Sequence, residues 1–421
     1  MRRLDPHRAW LTYKGLDSFS LALGWTVAPV FFVTELGLSP LELVLAGTAL
    51  EVAYFLFEVP TGIVADTYSR RISILVAMVA MGAAFVATGL AGGVAVVLAA
   101  AGVMGVGWTF KSGAEDAWLA DEVGLENVSR SYQRGAQVAR AGALAGIGSA
   151  VGLALVDLRA PVVAGGIAFL ALGAVLALLM PETGFRPVRH DGVGAIRGMA
   201  RTGARGGRLL RARPMLLLIV GIAVFAGMWS EAIDRLWEAH FLVDIGVPGL
   251  GSLDPVVWFG ILSAGVLLLA ILVAQPLVRR FERLSRVGMT RMLFVFDALT
   301  IVGTLAFAFA GSFALAVLTF WATRVFRSLA APVYSTWLNS SIEDSSVRAT
   351  VISMTNLGDS AGEWGGGPAL GVIGNSFGIR TALAASAAAL SPALVLYGRV
   401  LRHQGREPEL VEAQRQPVEA L

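Results

Sequence analysis

Long uncharged stretches alternate with short polar turns along most of the chain. The clearest one runs from Ile72 to Phe110, where no side chain carries a formal charge. A membrane hydrocarbon core of ~30 Å needs roughly 20 apolar residues per helix. On that measure the pattern predicts twelve membrane-spanning helices, six in each half of the chain.

The predicted spans of the first half lie near residues 10–34, 41–62, 73–90, 94–120, 135–156 and 161–180. Those of the second half lie near residues 214–241, 255–278, 292–309, 313–338, 350–373 and 379–398. Most of the breaks between them contain glycine or proline, which favour turns. The expected fold class is therefore an all-α membrane protein.

The two halves resemble each other at a nearly constant offset. A shift of 216 residues aligns Pro60, Asp66, Arg70 and Lys111 with Pro276, Glu282, Arg286 and Arg327. A shift of 219 residues aligns Trp118, Gly146, Gly148 and Gly152 with Trp337, Gly365, Gly367 and Gly371. These matches predict two pseudosymmetric six-helix bundles, an architecture in which transporters bind substrate between the halves.

Arginine residues indicate which side of the membrane each turn faces. If both termini and every second turn share one side, the other side holds only Arg159 and Arg380. Because cytoplasmic loops are enriched in Lys and Arg, both termini and the central loop are expected in the cytoplasm. We therefore expect bundles at 1–185 and 214–403, a basic cytoplasmic linker at 186–213 and a polar cytoplasmic tail at 404–421.

The arginines of the central loop recur at helical spacing, at positions 197, 201, 205, 208 and 211. Two interpretations stay open for this linker. It forms a cationic helix on the anionic inner leaflet, or it is a solvated basic segment with too much glycine to hold a helix.

Composition supports the membrane assignment and excludes several kinds of chemistry. Hydrophobic residues make up 56% of the chain, charged residues 15%, and the mean hydropathy is +0.70. There is no cysteine, no phosphate-binding glycine loop and no His-Glu-x-x-His zinc motif, so we expect no metal, no cofactor and no ATP-driven pumping. The expected partners are the lipid bilayer, protons and a small-molecule substrate, without nucleic acid, and we expect a monomer.

Charged residues inside the predicted spans are the main functional candidates, because such charges are expensive in a membrane. The candidates for proton or substrate coupling are Asp17, Glu51, Glu58, Lys111, Glu115, Asp116, Arg140, Glu231 and Asp234. An unpaired buried carboxylate can titrate near neutral pH, and Asp17 and Glu51 are the first choices for that role. The alternative is structural pairing of neighbours in sequence: Lys14 with Asp17, Lys111 with Glu115, and Arg235 with Asp234 or Glu238.

Glycines at spacings of four favour close helix packing in the fifth and eleventh spans, from Gly142 to Gly152 and from Gly367 to Gly371. The segment Gly358-Asp-Ser360-Ala-Gly362 matches the pattern of a hydrolase nucleophile turn. It lies in an apolar helix rather than at a strand-to-helix turn, and no histidine is suitably placed. A membrane-embedded hydrolase is therefore only a minor alternative.

The segment Gly62-x-x-Ala65-Asp66-x-x-x-Arg70-Arg71 lies in the turn between the second and third spans. It resembles the signature loop of the major facilitator superfamily, although Thr67 and Ser69 stand where that pattern usually has a basic residue and a glycine. The resemblance covers essentially the whole chain and implies alternating access. It also implies that Gly62, Asp66, Arg70 and Arg71 form a conformational latch, which approaches the eleventh span and holds the outward-open state.

The wider stretches Leu41–Arg71 and Ser112–Asp121 are similar to bacterial drug-exporting branches of that superfamily, including tetracycline- and macrolide-efflux relatives. This resemblance implies a proton-coupled exporter of a hydrophobic drug-like or metabolite substrate in the bacterial plasma (inner) membrane. Uptake of a small polar nutrient by the same fold is the main alternative. A non-transporting scaffold or receptor is a third, but it leaves the charged helix faces without a purpose.

Overall fold

The computed structural model describes residues 3–187, 214–249, 254–274, 284–342 and 345–415. Within these ranges the regular elements are twelve helical segments joined by short turns. The first half contains α1 (Pro6–Trp25, continued by Ala28–Thr34), α2 (Pro40–Thr67), α3 (Arg70–Gly89), α4 (Val94–Val123), α5 (Leu125–Ala154) and α6 (Arg159–Leu179). The second half contains α7 (Pro214–Ala239, then the π-helical turn His240–Ile245), α8 (Val257–Leu269, then the π-helical turn Ala270–Ala274), α9 (Arg286–Ala308), α10 (Phe313–Ser341), α11 (Ser345–Phe377) and α12 (Ile379–Arg415).

The predicted all-α fold with twelve helices is confirmed. Within the described residues, nine of the segments are long and apolar enough to cross a membrane. The other three are α5, α8 and α11. The described part of α8 is short, while charged residues and glycine lower the hydropathy of α5 and α11.

Two predicted boundaries are wrong. Helix α5 begins at Leu125 rather than near residue 135, because the polar stretch around Arg130 continues the helix instead of forming a loop. Helix α12 continues to Arg415, so part of the predicted tail at 404–421 belongs to the last helix. The predicted linker from residue 188 to 213, and Pro276 and Glu282 of the second motif copy, lie outside the described residues.

Short polar side chains begin several helices. The Asp5 carboxylate accepts hydrogen bonds from the backbone N–H groups of His7 and Arg8 at 3.1 and 3.3 Å. At the start of α2, Ser39 accepts from the N–H of Glu42, and the Glu42 carboxylate accepts from the N–H of Ser39. Such caps satisfy N–H groups that have no partner within the helix.

The chain divides into two compact units. Unit 1 comprises Met1–Gly198 and Arg235–Leu267, and unit 2 comprises Met199–Asp234 and Leu268–Leu421. In unit 1, α4 packs against α2 and α3, and α1 packs against α5 and α6. In unit 2, α9 packs against α10 and α12. The end of α7 and most of α8 thus group with the first six helices, a detail that the predicted division at 186–213 does not contain.

Glycines allow two pairs of helices to approach closely. A Cβ atom added at Gly142 of α5 would overlap the carbonyl oxygen of Gly15 in α1, and one at Gly146 would meet that of Phe19. In unit 2, a Cβ added at Gly362 of α11 would overlap the carbonyl oxygen of Val224 in α7. Gly146 and Gly362 are related by the 216-residue offset, so the repeat preserves this packing.

Other glycines of the predicted runs do not serve this purpose. At Gly148, Gly152 and Gly365, no heavy atom of the described structure lies within 4 Å of an added Cβ. The close packing expected of Gly148 and Gly152 is therefore wrong. The alignment of Gly146 with Gly365 is also wrong, because Gly362 is its structural counterpart.

This difference gives a matched pair of variants on one helix. Gly142→Ala should destabilise the protein by about 1–3 kcal/mol, because the added methyl group forces α5 away from α1. Gly148→Ala should be neutral or slightly stabilising, because alanine favours the helix and the space is open. Thermal unfolding of the purified variants in detergent measures both effects, and equal midpoints for the two would contradict this packing.

Candidate functional site

A buried ion pair joins α1 to α4. The Lys111 ammonium lies 2.7 Å from both carboxylate oxygens of Asp17. The Lys111 and Asp17 side chains are only 7% and 5% exposed. The ammonium also lies 5.1 Å from the centre of the Trp108 ring. Two charges buried this deeply lose much hydration energy, so each depends strongly on the other.

A second ion pair lies beside the first, between the same two helices. The Lys14 ammonium lies 3.4 Å from the Glu115 carboxylate, which also accepts a 2.5 Å hydrogen bond from the Tyr13 hydroxyl. Tyr13 is fully buried, and the Lys14 ammonium lies 5.3 Å from the centre of the Trp10 ring.

The pairings expected from sequence proximity, Lys14 with Asp17 and Lys111 with Glu115, are wrong. The partners are exchanged across the helix interface. Helices α1 and α4 run antiparallel, so the residue nearer the start of α1 faces the residue nearer the end of α4. Packing of two distant helices, rather than spacing within one helix, determines the partners.

The second half contains a related arrangement between α7 and α10. The Asp234 carboxylate forms ion pairs with both Arg324 and Arg327, the latter at 3.2 Å. The Arg327 guanidinium lies 5.0 Å from the centre of the Trp229 ring, and the Trp229 indole N–H donates to Thr304 at 3.0 Å. Aromatic stacking and an ion pair therefore both hold Arg327.

The two arrangements correspond in the internal repeat. Asp17 and Asp234 lie 217 residues apart, and Lys111 and Arg327 lie 216 apart. In each half, an acid on the first helix binds a base on the fourth helix. The repeat aligns the bases, and extending it by one residue would also have aligned the acids.

The structure separates the remaining coupling candidates by burial. Glu231 is buried, with 3% exposure, and Glu51 and Arg140 are partly buried. Asp116 is exposed on α4. Glu58 is exposed on α2 and accepts a 3.2 Å hydrogen bond from the Tyr54 hydroxyl. Neither exposed residue joins the α1–α4 pairs.

The predicted latch is tied to α4 through Arg70. The guanidinium lies 3.6 Å from Asp66, four residues earlier. It also forms an ion pair with Asp121 and donates to the carbonyl oxygen of Ala117 at 2.7 Å. Asp66, whose side chain is 44% exposed, therefore shares its arginine with a second acid.

The other end of the turn is bound to the segment that follows α6. The Glu182 carboxylate accepts from the Ser69 hydroxyl at 2.6 Å and from the Arg71 N–H at 2.8 Å. Ser69 also caps α3 by accepting from the N–H of Ile72 at 2.9 Å, which explains a serine where the family pattern usually has glycine. At Gly62, no described heavy atom lies within 4 Å of an added Cβ, so the expected close approach there is wrong for this structure.

Unit 2 contains an internal cavity that sequence reasoning did not anticipate. We call it the second-half cavity; its volume is about 250 Å³. Its polar lining includes Asp297, Arg327, Asp359, Tyr334 and Tyr397, together with Ser230, Thr300, Thr355 and Asn356. Asp297 and Asp359 were visible as charges in predicted spans, but only the fold shows that α9 and α11 bring them to one space.

Comparison with known proteins identifies the fold. The family model described as Major Facilitator Superfamily matches residues 15–289, and no curated protein sequence gives a significant match. The chain is similar to a bacterial homologue of the human lysosomal transporter Spinster, with a TM-score of 0.73 and 15% identity over 94% of this chain and 96% of that one.

Two further solved structures are similar at comparable coverage. For the nucleoside transporter NupG the TM-score is 0.75, with 12% identity over 94% of this chain and 99% of that one. For a POT family transporter in complex with a thioalcohol-conjugated peptide it is 0.69, with 12% identity over 95% of this chain and 96% of that one. At such low identities these likenesses show the fold alone.

Proposed function

This chain belongs to the major facilitator superfamily, and we propose that it is a proton-coupled exporter of a hydrophobic drug-like or metabolite substrate that works by alternating access. Membership of this family and the similarity to solved transporters indicate a multi-pass membrane transporter rather than an enzyme. The hydrolase hypothesis built on Ser360 is therefore abandoned.

The observation that carries the proton coupling is the buried ion pair between Asp17 and Lys111. A proton taken up by Asp17 removes the attraction that holds the Lys111 ammonium against α1. Lys111 then needs another partner or water, and the contact between α1 and α4 weakens. Loss of the proton restores the pair, so the protonation state of Asp17 controls the arrangement of the two helices.

Efflux of a hydrophobic compound is supported by the resemblance of Leu41–Arg71 and Ser112–Asp121 to drug-exporting proteins. The distribution of arginines supports cytoplasmic termini and a location in the bacterial inner membrane. Gly62, Asp66, Arg70 and Arg71 act as the conformational latch in this proposal. Arg70 supports that role because it is shared between Asp66 and Asp121, and a shared ion pair is readily exchanged.

A susceptibility panel tests this proposal. Expression in a bacterial host that lacks its own efflux pumps should raise resistance to at least one hydrophobic compound. Asp66→Asn should reduce that resistance by about fivefold, because a lost latch contact of ~1 kcal/mol shifts the balance between conformations.

Asp254→Asn, at an exposed position outside these ion pairs, should retain full resistance. Greater sensitivity to polar compounds, without protection against any hydrophobic one, would instead support nutrient uptake. An unchanged panel, with the protein present in the membrane, would contradict export of drug-like compounds.

A further inference from the structure

The second-half cavity is enclosed by five helices of unit 2. One side of it is apolar, with Ile222, Leu293 and Leu390 among alanines. The other side presents the carboxyl groups of Asp297 and Asp359. A ligand that fills this space therefore meets an apolar surface and an acidic one.

The acidic groups of this cavity have too few cationic partners. Within the described residues, neither Asp297 nor Asp359 has a basic group within 4 Å. Arg327 lines the cavity, but it is bound to Asp234 and stacked on Trp229. Asp234 also binds Arg324.

Three carboxyl groups thus face two guanidinium groups at and beside the cavity. One carboxyl group is left without a guanidinium counterpart. In a low-dielectric environment such a group either takes up a proton or binds a cation.

Tyrosine hydroxyl groups complete the polar side. The Tyr397 hydroxyl interacts with the Asp297 carboxyl group. The Tyr334 hydroxyl is inaccessible to solvent and has no hydrogen-bond partner among the described residues. A buried hydroxyl without a partner costs about 1–3 kcal/mol. Tyr334 lines the cavity, so a bound polar group can provide the missing hydrogen bond.

We propose that the second-half cavity is a binding site for a small organic cation, a protonated amine with a compact apolar body. The ammonium group lies between the carboxylates of Asp297 and Asp359 and contacts the Tyr334 hydroxyl. The apolar body packs against Ile222, Leu293 and Leu390. This site belongs to unit 2 alone and does not depend on the direction of transport or on the Asp17–Lys111 pair.

Volume and chemistry favour this class of ligand over others. A cavity of about 250 Å³ is smaller than the ~300–1,000 Å³ typical of drug-sized sites, so it fits a compact ligand. It is far larger than a proton needs. A bare metal cation would require several oxygen ligands around one point, whereas much of this lining is apolar.

Benzylamine and benzyl alcohol test the proposal, because they share a shape and differ in charge at pH 7. Calorimetric titration of the purified full-length protein in detergent should show one benzylamine bound per chain. Benzyl alcohol should bind at least about tenfold more weakly, because it lacks charge-assisted hydrogen bonds. Protein-free micelles correct for partitioning of both compounds.

Variants locate the binding. Asp297→Asn and Asp359→Asn should each weaken benzylamine binding about tenfold or more. Ala330→Leu should weaken it by filling the cavity while every charge is retained, and Asp254→Asn should have no effect. Size-exclusion elution and circular dichroism establish that each variant is folded. Tyr334→Phe, a change of a single hydroxyl group, should weaken binding about threefold and provides a mild second test if an aspartate variant misfolds.

Several results would overturn the proposal. Absence of stoichiometric benzylamine binding to the wild-type protein would mean that the excess carboxyl group is satisfied by a proton alone. Equal affinities for the amine and the alcohol would exclude an ionic site. Unchanged affinity in folded Asp297→Asn, Ala330→Leu or Tyr334→Phe protein would place the ligand elsewhere.

Discussion

Asp17→Asn is expected to destabilise the protein by about 3–5 kcal/mol, because it leaves the buried Lys111 ammonium without its partner. The Lys111 side chain is only 7% exposed, so water cannot easily replace the lost carboxylate. Thermal unfolding in detergent, followed by tryptophan fluorescence, measures the loss.

Removing both charges should restore most of the lost stability. The double variant Asp17→Asn/Lys111→Met places no unpaired charge in the helix interface, and neutral replacements of a buried pair are often well tolerated. A midpoint for the single variant equal to that of the wild type would show that Asp17 and Lys111 do not depend on each other.

The same double variant should lose proton-driven export by more than about tenfold while staying folded, because no titratable acid is left at the α1–α4 contact. Energy-dependent efflux of a compound identified by the susceptibility panel measures this loss. The matched control removes an ion pair of similar geometry at a more exposed position: Glu35→Gln/Arg159→Met. That pair is separated by 2.9 Å, and its side chains are 34% and 37% exposed. The control should export normally, and full export by the Asp17/Lys111 variant would remove that pair from the coupling mechanism.

The architecture could be predicted from the sequence because the membrane imposes a simple constraint. Each span needs a long apolar segment, and glycine and proline end most of them. The internal repeat was also readable, since Lys111 and Arg327 occupy equivalent ion pairs. The start of α5 was missed because arginines on an exposed helix face resemble a loop in hydropathy.

The site was predictable only in part. Asp17, Lys111 and Glu115 were found because charges in apolar helices are rare, but their partners were not. Spacing within one helix favoured local pairs, whereas the antiparallel contact between α1 and α4 exchanged them. Sequence proximity contains no information about which distant helix a side chain faces.

The second-half cavity shows the same limit. Asp297 and Asp359 lie on different helices, and nothing in their spacing indicates a common space. Tyr334 and Tyr397 were not candidates at all, because single tyrosines in apolar helices usually serve packing. Their position beside the two acids emerges only from the packing of α9, α10, α11 and α12.

The measurement that tests proton-driven export most directly is substrate accumulation in intact cells with and without an uncoupler that collapses the proton gradient. The account predicts low accumulation in cells that express the wild-type protein and a marked rise after the uncoupler is added. Cells that express Asp17→Asn/Lys111→Met should accumulate the compound in both conditions. A fall in accumulation after uncoupling would contradict export and support uptake, and no change would contradict proton coupling.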